Sequence, residues 1–177
     1  SAESMTKPAR ANKPTEARRM AFMGRGLYTT LDYAEGQMQG IRIKKIDHVA
    51  IAVADTDEAI AKYKQVLGLD PEVREVVASQ KTEATLLPIG ETSLELISPK
   101  GNDGLARFLE KKGPGIHHIA IEVEGIEGAL TTLKALGVQL IDETPRKGAR
   151  GHKVAFLHPK ATGGVLIELV EPDHGTA

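Results

Sequence analysis

The chain has 177 residues, enough for one sizeable domain or for two small modules that share a core. Its 23 basic and 24 acidic residues nearly cancel, which argues against a general binder of nucleic acid or membrane surfaces, and it has no cysteine for disulfides or thiolate metal sites. No apolar run approaches the length of a membrane span, so we expect a soluble protein.

Residues 1–40 lack the sustained periodicity of the remainder, and we predict a flexible extension, a tag or a processed leader. Arg10, Arg18 and Arg19 leave a mitochondrial transit remnant as an alternative, which the acidic residues in the same stretch weaken. We therefore predict a cytoplasmic protein, with the mitochondrial matrix second. The folded domain is predicted to span about 44–172.

The octapeptide "IDHVAIAV" at 46–53 is repeated as "IHHIAIEV" at 116–123, with His48 and His118 in register. Bulky residues alternate with small or polar ones, so one face of each strand suits packing under a helix and the other suits lining a cup. The repeat predicts a duplicated unit whose copies share a task. His117 precedes His118, and alternation would turn it to the opposite face, which makes it the weaker ligand candidate.

A helical segment follows each repeated strand. "DTDEAIAKYKQVLGLD" begins with Asp55 or Thr56 as the N-cap and stops at Gly68, and "GIEGALTTLKALGVQL" stops at Gly137. Three short strands complete each module, predicted at about 70–78, 82–88 and 92–98 in the first and at about 138–144, 152–158 and 164–170 in the second.

The order βαβββ thus occurs twice, over about 44–100 and about 115–172, with a linker helix predicted at about 103–112. A single unit of this size buries too little surface to be secure alone, so the two are expected to pair about a pseudo-twofold axis. We predict an α+β fold in which two βαβββ modules enclose a shared cleft.

The last strands of the modules also match, since "LELISP" at 94–99 and "IELVEP" at 167–172 put Glu95 and Glu168 at equivalent positions. Taken alone, a strand histidine or glutamate is more often structural or solvated. The repeated pairing predicts instead that His48, Glu95, His118 and Glu168 converge on one metal ion. Two imidazoles and two carboxylates suit Co²⁺, Ni²⁺, Zn²⁺ or Mn²⁺, with room for water or substrate oxygens.

The sequence resembles the vicinal oxygen chelate superfamily, whose paired βαβββ modules hold a metal in a shared cleft, and within it the methylmalonyl-CoA epimerases. The resemblance covers about 44–172 and is carried by "IDHVAIAV", "FLEKKGPGIHHIAIEV", "KGARGHKVAFLHPK" and "GGVLIELVEP". It implies an isomerase that interconverts (R)- and (S)-methylmalonyl-CoA through an enolate. It also implies a divalent metal, with Co²⁺ as the first choice, and a homodimer.

The same resemblance implies roles for individual residues. His48, His118 and Glu168 would bind the metal, and Glu95 occupies the fourth ligand position, where some epimerases have glutamine. Two glutamate bases are implied on opposite sides of the substrate carbon, and they match Glu168 and Glu83 in "KTEATLL". Glu168 would then both coordinate the ion and carry a proton, although metal binding lowers the basicity of a carboxylate.

The basic loop "PRKGARGHK" is predicted to lie near the cleft. Its Arg146, Lys147, Arg150 and Lys153 would contact the substrate carboxylate or the phosphates of coenzyme A, with a solvated hairpin turn as the alternative for at least two of them. The expected partners are a small-molecule acyl-CoA substrate and a second copy of the chain, without nucleic acid or membrane.

The nearest alternative function is that of a glyoxalase I-type lactoylglutathione lyase. The segment "HPKATGG" before the last strand favours an epimerase instead. A ring-cleaving dioxygenase and a metal-free binding module are the remaining alternatives, and retention of all four ligand positions argues against the binding module.

Overall fold

A computed structural model describes residues 41–173 and, within 1–40, the backbone of four two-residue strands. The four are β1 (Met20–Ala21), β2 (Thr30–Leu31), β3 (Tyr33–Ala34) and β4 (Gln37–Met38), which pair antiparallel as β1 with β2 and β3 with β4. The chain divides into two units, Ser1–Gln39 and Gly40–Ala177. Apart from these four strands, the stretch 1–40 that was predicted as a flexible extension lies outside the described residues.

In the second unit the order βαβββ occurs twice. The first module consists of β5 (Arg42–Ala52), α1 (Thr56–Leu67), β6 (Val73–Val77), β7 (Thr82–Ile89) and β8 (Thr92–Pro99). After α2 (Asp103–Lys112), the second module consists of β9 (Gly115–Glu124), α3 (Ile126–Ala135), β10 (Arg146–Lys147), β11 (Lys153–Leu157) and β12 (Ile167–Glu171), with 3₁₀ turns at Ala149–Gly151 and Pro159–Thr162. The predicted α+β fold of two βαβββ modules is confirmed.

The strands of both modules form one mixed sheet in the order β10-β11-β12-β9-β5-β8-β7-β6. Strands β5 and β9 pair antiparallel at its centre, and each runs parallel to the last strand of its own module, β8 or β12. The arrangement of β8, β7 and β6 beside β5 is therefore repeated by β12, β11 and β10 beside β9, which is the predicted pseudo-twofold relation.

One face of the sheet, which we call the outer face, packs against α1 and α3. Helix α1 starts at the predicted N-cap Asp55 and ends at Gly68, whose φ of 69° is left-handed. Tyr63 of this helix packs against the buried Leu87 and Leu96 of the sheet. The residues that α3 buries are Ile126, Ala129, Leu130 and Leu133.

The opposite face, which we call the inner face, carries Ala50 and Ala120 at its centre, both with no exposed surface. Helix α2 covers one end of this face, where Leu105 packs with Ala50, Ala52 and Ile97. None of the helices in the described part of the chain combines the length and apolarity that a bilayer crossing needs.

The predicted strand at about 138–144 is wrong. This stretch makes only an isolated bridge, between Leu140 and Leu157. The Asp142 carboxylate accepts a hydrogen bond from Phe156 N at 2.9 Å and another from Arg146 Nε at 3.2 Å. A side chain therefore takes the backbone donor that a ladder partner would use, and a regular strand does not form.

Candidate metal centre

The four predicted ligand side chains meet at one point of the inner face, and we call them the four-residue cluster. His48 Nε2 lies 3.2 Å from Glu95 Oε2 and 3.2 Å from Glu168 Oε2. His118 Nε2 lies 3.2 Å from Glu168 Oε2 and 4.0 Å from Glu95 Oε2, and the two imidazole Nε2 atoms are 3.4 Å apart. All four residues are buried, with 3% to 6% of their surface exposed.

The register of the central strands explains why these side chains meet without colliding. Each imidazole is separated from the carboxylate of the other module by one alanine on the strand between them. The cross-strand partners are Glu95 and His118 for Ala50, and His48 and Glu168 for Ala120. Because cross-strand partners project side by side, each alanine adds only a methyl group to the centre of the cluster.

These separations fit the coordination shell of a divalent ion. Bonds of about 2.1 Å place neighbouring ligand atoms about 3.0 Å apart at a right angle and about 3.4 Å apart at the tetrahedral angle. Ligand atoms of His48, Glu95 and His118 all lie within 4.8 Å of one another, and Glu168 adds a fourth donor within 3.2 Å of both imidazoles. A dication would also offset the charges of two buried carboxylates, so the donor set fits a divalent metal.

The charges within the cluster act on one another. Burial would lower the pKa of His48, but the neighbouring Glu95, Asp47 and Glu168 outweigh burial and raise that pKa well above its usual value. Burial would likewise raise the pKa of Glu168, but its hydrogen bonds to His118 and His48 and their charges lower it to about 2. Because imidazole nitrogens bind metals only when unprotonated, a metal at these donors competes with protons.

Glu83 is not brought to this cluster. It projects from the outer face of β7, where its Cα partner is Ser98 and where Thr56 Oγ1 donates to Glu83 Oε2 at 2.9 Å. Arg74 Nε and Lys100 Nζ lie 3.1 Å and 3.4 Å from its carboxylate oxygens. The prediction that Glu83 is the second base does not fit this position, because a base must reach the proton that it removes and the sheet lies between.

Asp47, for which no role was predicted, and His117, predicted as the weaker ligand candidate, lie directly behind the imidazoles. Asp47 Oδ2 is 2.8 Å from His48 Nδ1, and His117 Nδ1 is 2.9 Å from His118 Nδ1. The prediction that His117 turns to the opposite face is wrong, because a β-bulge interrupts the alternation at this residue. Its ring packs edge-on against Phe108, with centroids 4.9 Å apart.

Two cavities adjoin the cluster. The larger, of about 410 Å³, is bordered by His118, His117, Leu105, Phe156 and Arg146. The smaller, of about 20 Å³, is bordered by three cluster residues together with Asp47 and Arg150. Only the larger therefore has room for an extended ligand beside the cluster.

The basic loop of the second module reaches across to the first module. Ser79 Oγ donates to the Lys147 carbonyl at 2.6 Å, and Arg150 N donates to Glu75 Oε1 at 2.6 Å. Of the basic residues predicted near the cleft, Arg146 and Arg150 border the two cavities. Lys153 pairs instead with the exposed Glu127 at 2.8 Å, which matches the solvated alternative.

Comparison with known proteins points to one family. The family model of the glyoxalase/bleomycin resistance protein/dioxygenase superfamily matches residues 47–156. The mitochondrial methylmalonyl-CoA epimerase of Dictyostelium discoideum is 44% identical over 135 residues, which cover 74% of this chain and 80% of that protein. The uncharacterized protein YqjC of Bacillus subtilis is 44% identical over 131 residues, or 73% and 94% of the two chains.

A solved structure of a methylmalonyl-CoA epimerase in complex with methylmalonyl-CoA and NH4+ has a TM-score of 0.72 and 32% identity, covering 75% of this chain and 96% of that one. A probable lactoylglutathione lyase of Vibrio cholerae is less similar, at 33% identity over 129 residues. The likeness to epimerases thus covers 80% of the Dictyostelium protein and 96% of the solved structure.

Proposed function

The chain belongs to the glyoxalase/bleomycin resistance protein/dioxygenase superfamily, and we propose that it is a methylmalonyl-CoA epimerase, an isomerase that interconverts the (R) and (S) forms of this thioester. The observation that carries the proposal is the convergence of His48, Glu95, His118 and Glu168 on the inner face. The similarity to epimerases, one of them solved with methylmalonyl-CoA, supports the choice of substrate.

The reaction removes the proton of the carbon that lies between the thioester and the carboxylate, and adds a proton to the other face of that carbon. His48, Glu95, His118 and Glu168 would hold a divalent ion, for which Co²⁺ is our first choice. Such an ion supplies a Lewis acid for the negative charge that develops on the thioester oxygen. The larger cavity beside His118, lined by Leu105 and Phe156, supports entry of the thioester arm from that side.

We assign the proton transfers to two carboxylates of the cluster. Glu168, with a pKa of about 2, is ionised at neutral pH and so offers the free carboxylate that a base needs, but a pKa this low makes it a weak base. Inversion needs a second group on the other side of the carbon, and Glu83 faces away. Glu95 is the carboxylate that the pseudo-twofold relation places opposite Glu168, and we propose it as the second proton carrier.

The remaining assignments concern partners and location. We propose a homodimer, which is supported by exposed apolar side chains on the central strands, Ile46 at 50% and Ile116 at 67% exposure. We place the enzyme in the cytoplasm. The alternative of the mitochondrial matrix depends on arginines within 1–40, which lie outside the described residues.

Incubation of the protein with Co²⁺ and (R)- or (S)-methylmalonyl-CoA in D₂O is expected to introduce deuterium at C2 of the substrate. Mass spectrometry of the thioester measures this exchange. After treatment of the protein with a chelator, the C2 proton of the substrate should exchange at least about 10²-fold more slowly, since Lewis-acid stabilisation is worth several kcal/mol. Added Co²⁺ should restore the rate. Activity confined to glutathione hemithioacetals would contradict the proposal and favour the lactoylglutathione lyase.

Glu83→Gln is expected to lower stability while leaving metal content and turnover near the wild-type values. Burial would raise the pKa of Glu83, but hydrogen bonds from Arg74, Thr56 and Lys100 lower it to about 2. A lowered pKa in the folded state stabilises the fold above the unfolded pKa of about 4.3, and this stabilisation is lost as the pH falls from about 5 toward 2.

Urea unfolding across that pH range measures the effect. The difference between wild type and Glu83→Gln should be about 1–3 kcal/mol at pH 7 and shrink at the acid end. Glu58→Gln, a change at an exposed glutamate of α1, serves as the matched control. A large loss of turnover in Glu83→Gln with normal metal content and a normal unfolding curve would return Glu83 to the mechanism.

A further inference from the structure

The ladder between β5 and β9 contains three register shifts, and two of them are bulges at corresponding points of the two modules. The pairing passes from Ile46–Ile121 to His48–Ala120, and from Ala50–His118 to Ile51–Ile116. Asp47 is therefore the extra residue of one bulge and His117 of the other. A bulge re-aims a side chain that regular alternation would send to the other face. Each module thus places one additional polar side chain behind its own imidazole.

Asp47 contacts the imidazole nitrogen that points away from the cluster. His48 Nδ1 donates to Asp47 Oδ2 at 2.8 Å, because an ionised carboxylate only accepts hydrogen bonds. This bond keeps the proton of the neutral ring on Nδ1 and leaves the Nε2 lone pair directed at Glu95 and Glu168, from which Nε2 is 3.2 Å away.

Asp47 is held in turn by the second module. Asp47 is 8% exposed. Its carboxylate accepts hydrogen bonds from Arg150 Nη2, at 3.1 Å to Oδ2 and 3.4 Å to Oδ1. Arg150 has a left-handed φ of 55°, uncommon for a residue with a side chain, and its backbone N–H donates to Glu75 Oε1 at 2.6 Å. A chain of contacts therefore runs from the basic loop of one module to the imidazole of the other.

We propose that Asp47 and Arg150 are positioning residues, which hold His48 in the tautomer and orientation that metal binding needs. The basic loop of the second module thereby controls the metal affinity of an imidazole from the first. His117 occupies the corresponding place behind His118, where its ring packs on Phe108. This inference rests on the proposed metal site, so its test includes a readout that needs no metal.

The test compares Asp47→Ala, Asp47→Asn, Arg150→Ala and the Asp47→Ala/Arg150→Ala double variant in the full chain. Co²⁺ binding is followed by calorimetry and by the visible absorption of the bound ion. Asp47→Ala is expected to weaken binding 10- to 100-fold and to shift the absorption bands, the typical effect of removing a partner behind a metal ligand. Asp47→Asn retains an acceptor oxygen and should recover part of the loss.

Arg150→Ala should weaken Co²⁺ binding less than Asp47→Ala, and the double variant should bind no worse than Asp47→Ala alone, because both residues act through one contact. Asp70→Ala, at an exposed aspartate that pairs with Lys64, serves as the control. Additive losses, or unchanged affinity and spectrum in Asp47→Ala, would overturn the inference.

A metal-free readout separates this inference from the proposed function. At a pH above the raised pKa of His48, where the metal-free ring is neutral, nitrogen-15 NMR reports which ring nitrogen carries the proton, and Asp47→Ala is expected to lose the preference for Nδ1–H. A wild type that binds no Co²⁺ contradicts the proposed metal site, and the tautomer of His48 then tests the contact alone. A tautomer unchanged in both Asp47→Ala and Arg150→Ala would overturn the positioning role.

Discussion

Glu168→Gln is expected to lower the rate of epimerisation by about 10³-fold, within the range that a positioned base contributes. Glu168 is 3% exposed, and its Oε2 lies 3.2 Å from the Nε2 of both His48 and His118, so one carboxylate contacts an imidazole of each module. An amide keeps the shape of the side chain but cannot accept the substrate proton. Epimerisation is measured by NMR of the two stereoisomers, with the metal content determined in parallel.

The reciprocal variant, Glu95→Gln, distinguishes a base from a ligand. If Glu168 and Glu95 serve opposite faces of the carbon, each single variant should still exchange the C2 proton of one stereoisomer in D₂O while interconversion stops. Glu171→Gln, on the same strand as Glu168 but at a partly exposed position, should keep the wild-type rate. Near-normal interconversion by metal-loaded Glu168→Gln would remove this carboxylate from the mechanism.

Ala120→Val is expected to lose most of the bound Co²⁺ and at least about 10²-fold of the rate, since the Lewis acid is worth several kcal/mol. Ala120 is the cross-strand partner of both His48 and Glu168 and has no exposed surface. Two added methyl groups would fill the centre of the cluster and cost about 1–3 kcal/mol in stability. Metal content and urea unfolding are the measurements.

The matched control is Ala155→Val. Ala155 is equally buried and pairs with Leu169, so it projects from the outer face, away from the cluster. This variant should lose a similar amount of stability yet keep its metal and its rate. Equal metal loss in the two variants would show that overpacking alone is responsible, and would contradict the role of the alanine.

The sequence predicted the architecture and the convergence of four side chains because the two modules repeat one another. The matched positions of His48 with His118 and of Glu95 with Glu168 carry information that no single strand contains. In the structure, the strand register places one alanine between each imidazole and the carboxylate of the other module. This register could not be predicted, because it depends on the order of the strands in the sheet, which a single sequence does not supply.

Three predictions failed where strand alternation gives no guidance: the face of Glu83, the face of His117 and the strand at about 138–144. Strand β7 is buried on both faces from Thr82 to Leu87, so its pattern did not show that Glu83 projects from the outer face. Asp47 and His117 are bulge residues, and a bulge depends on the partner strand as much as on its own sequence. The carboxylate of Asp142 accepts a hydrogen bond from the Phe156 N–H, and this side-chain contact replaces the strand expected at about 138–144.

The central ladder also sets the order in which the molecule can assemble. His48 and Glu95 come from parallel neighbours that are joined only through α1, β6 and β7, and the second pair lies beyond a further crossover. Closing loops of this length costs conformational entropy, and the contacts at the centre of the sheet offset that cost only after they have formed. We therefore expect the four donors to come together late in folding, so that a bound ion would stabilise the finished protein and slow its unfolding without serving as the nucleus.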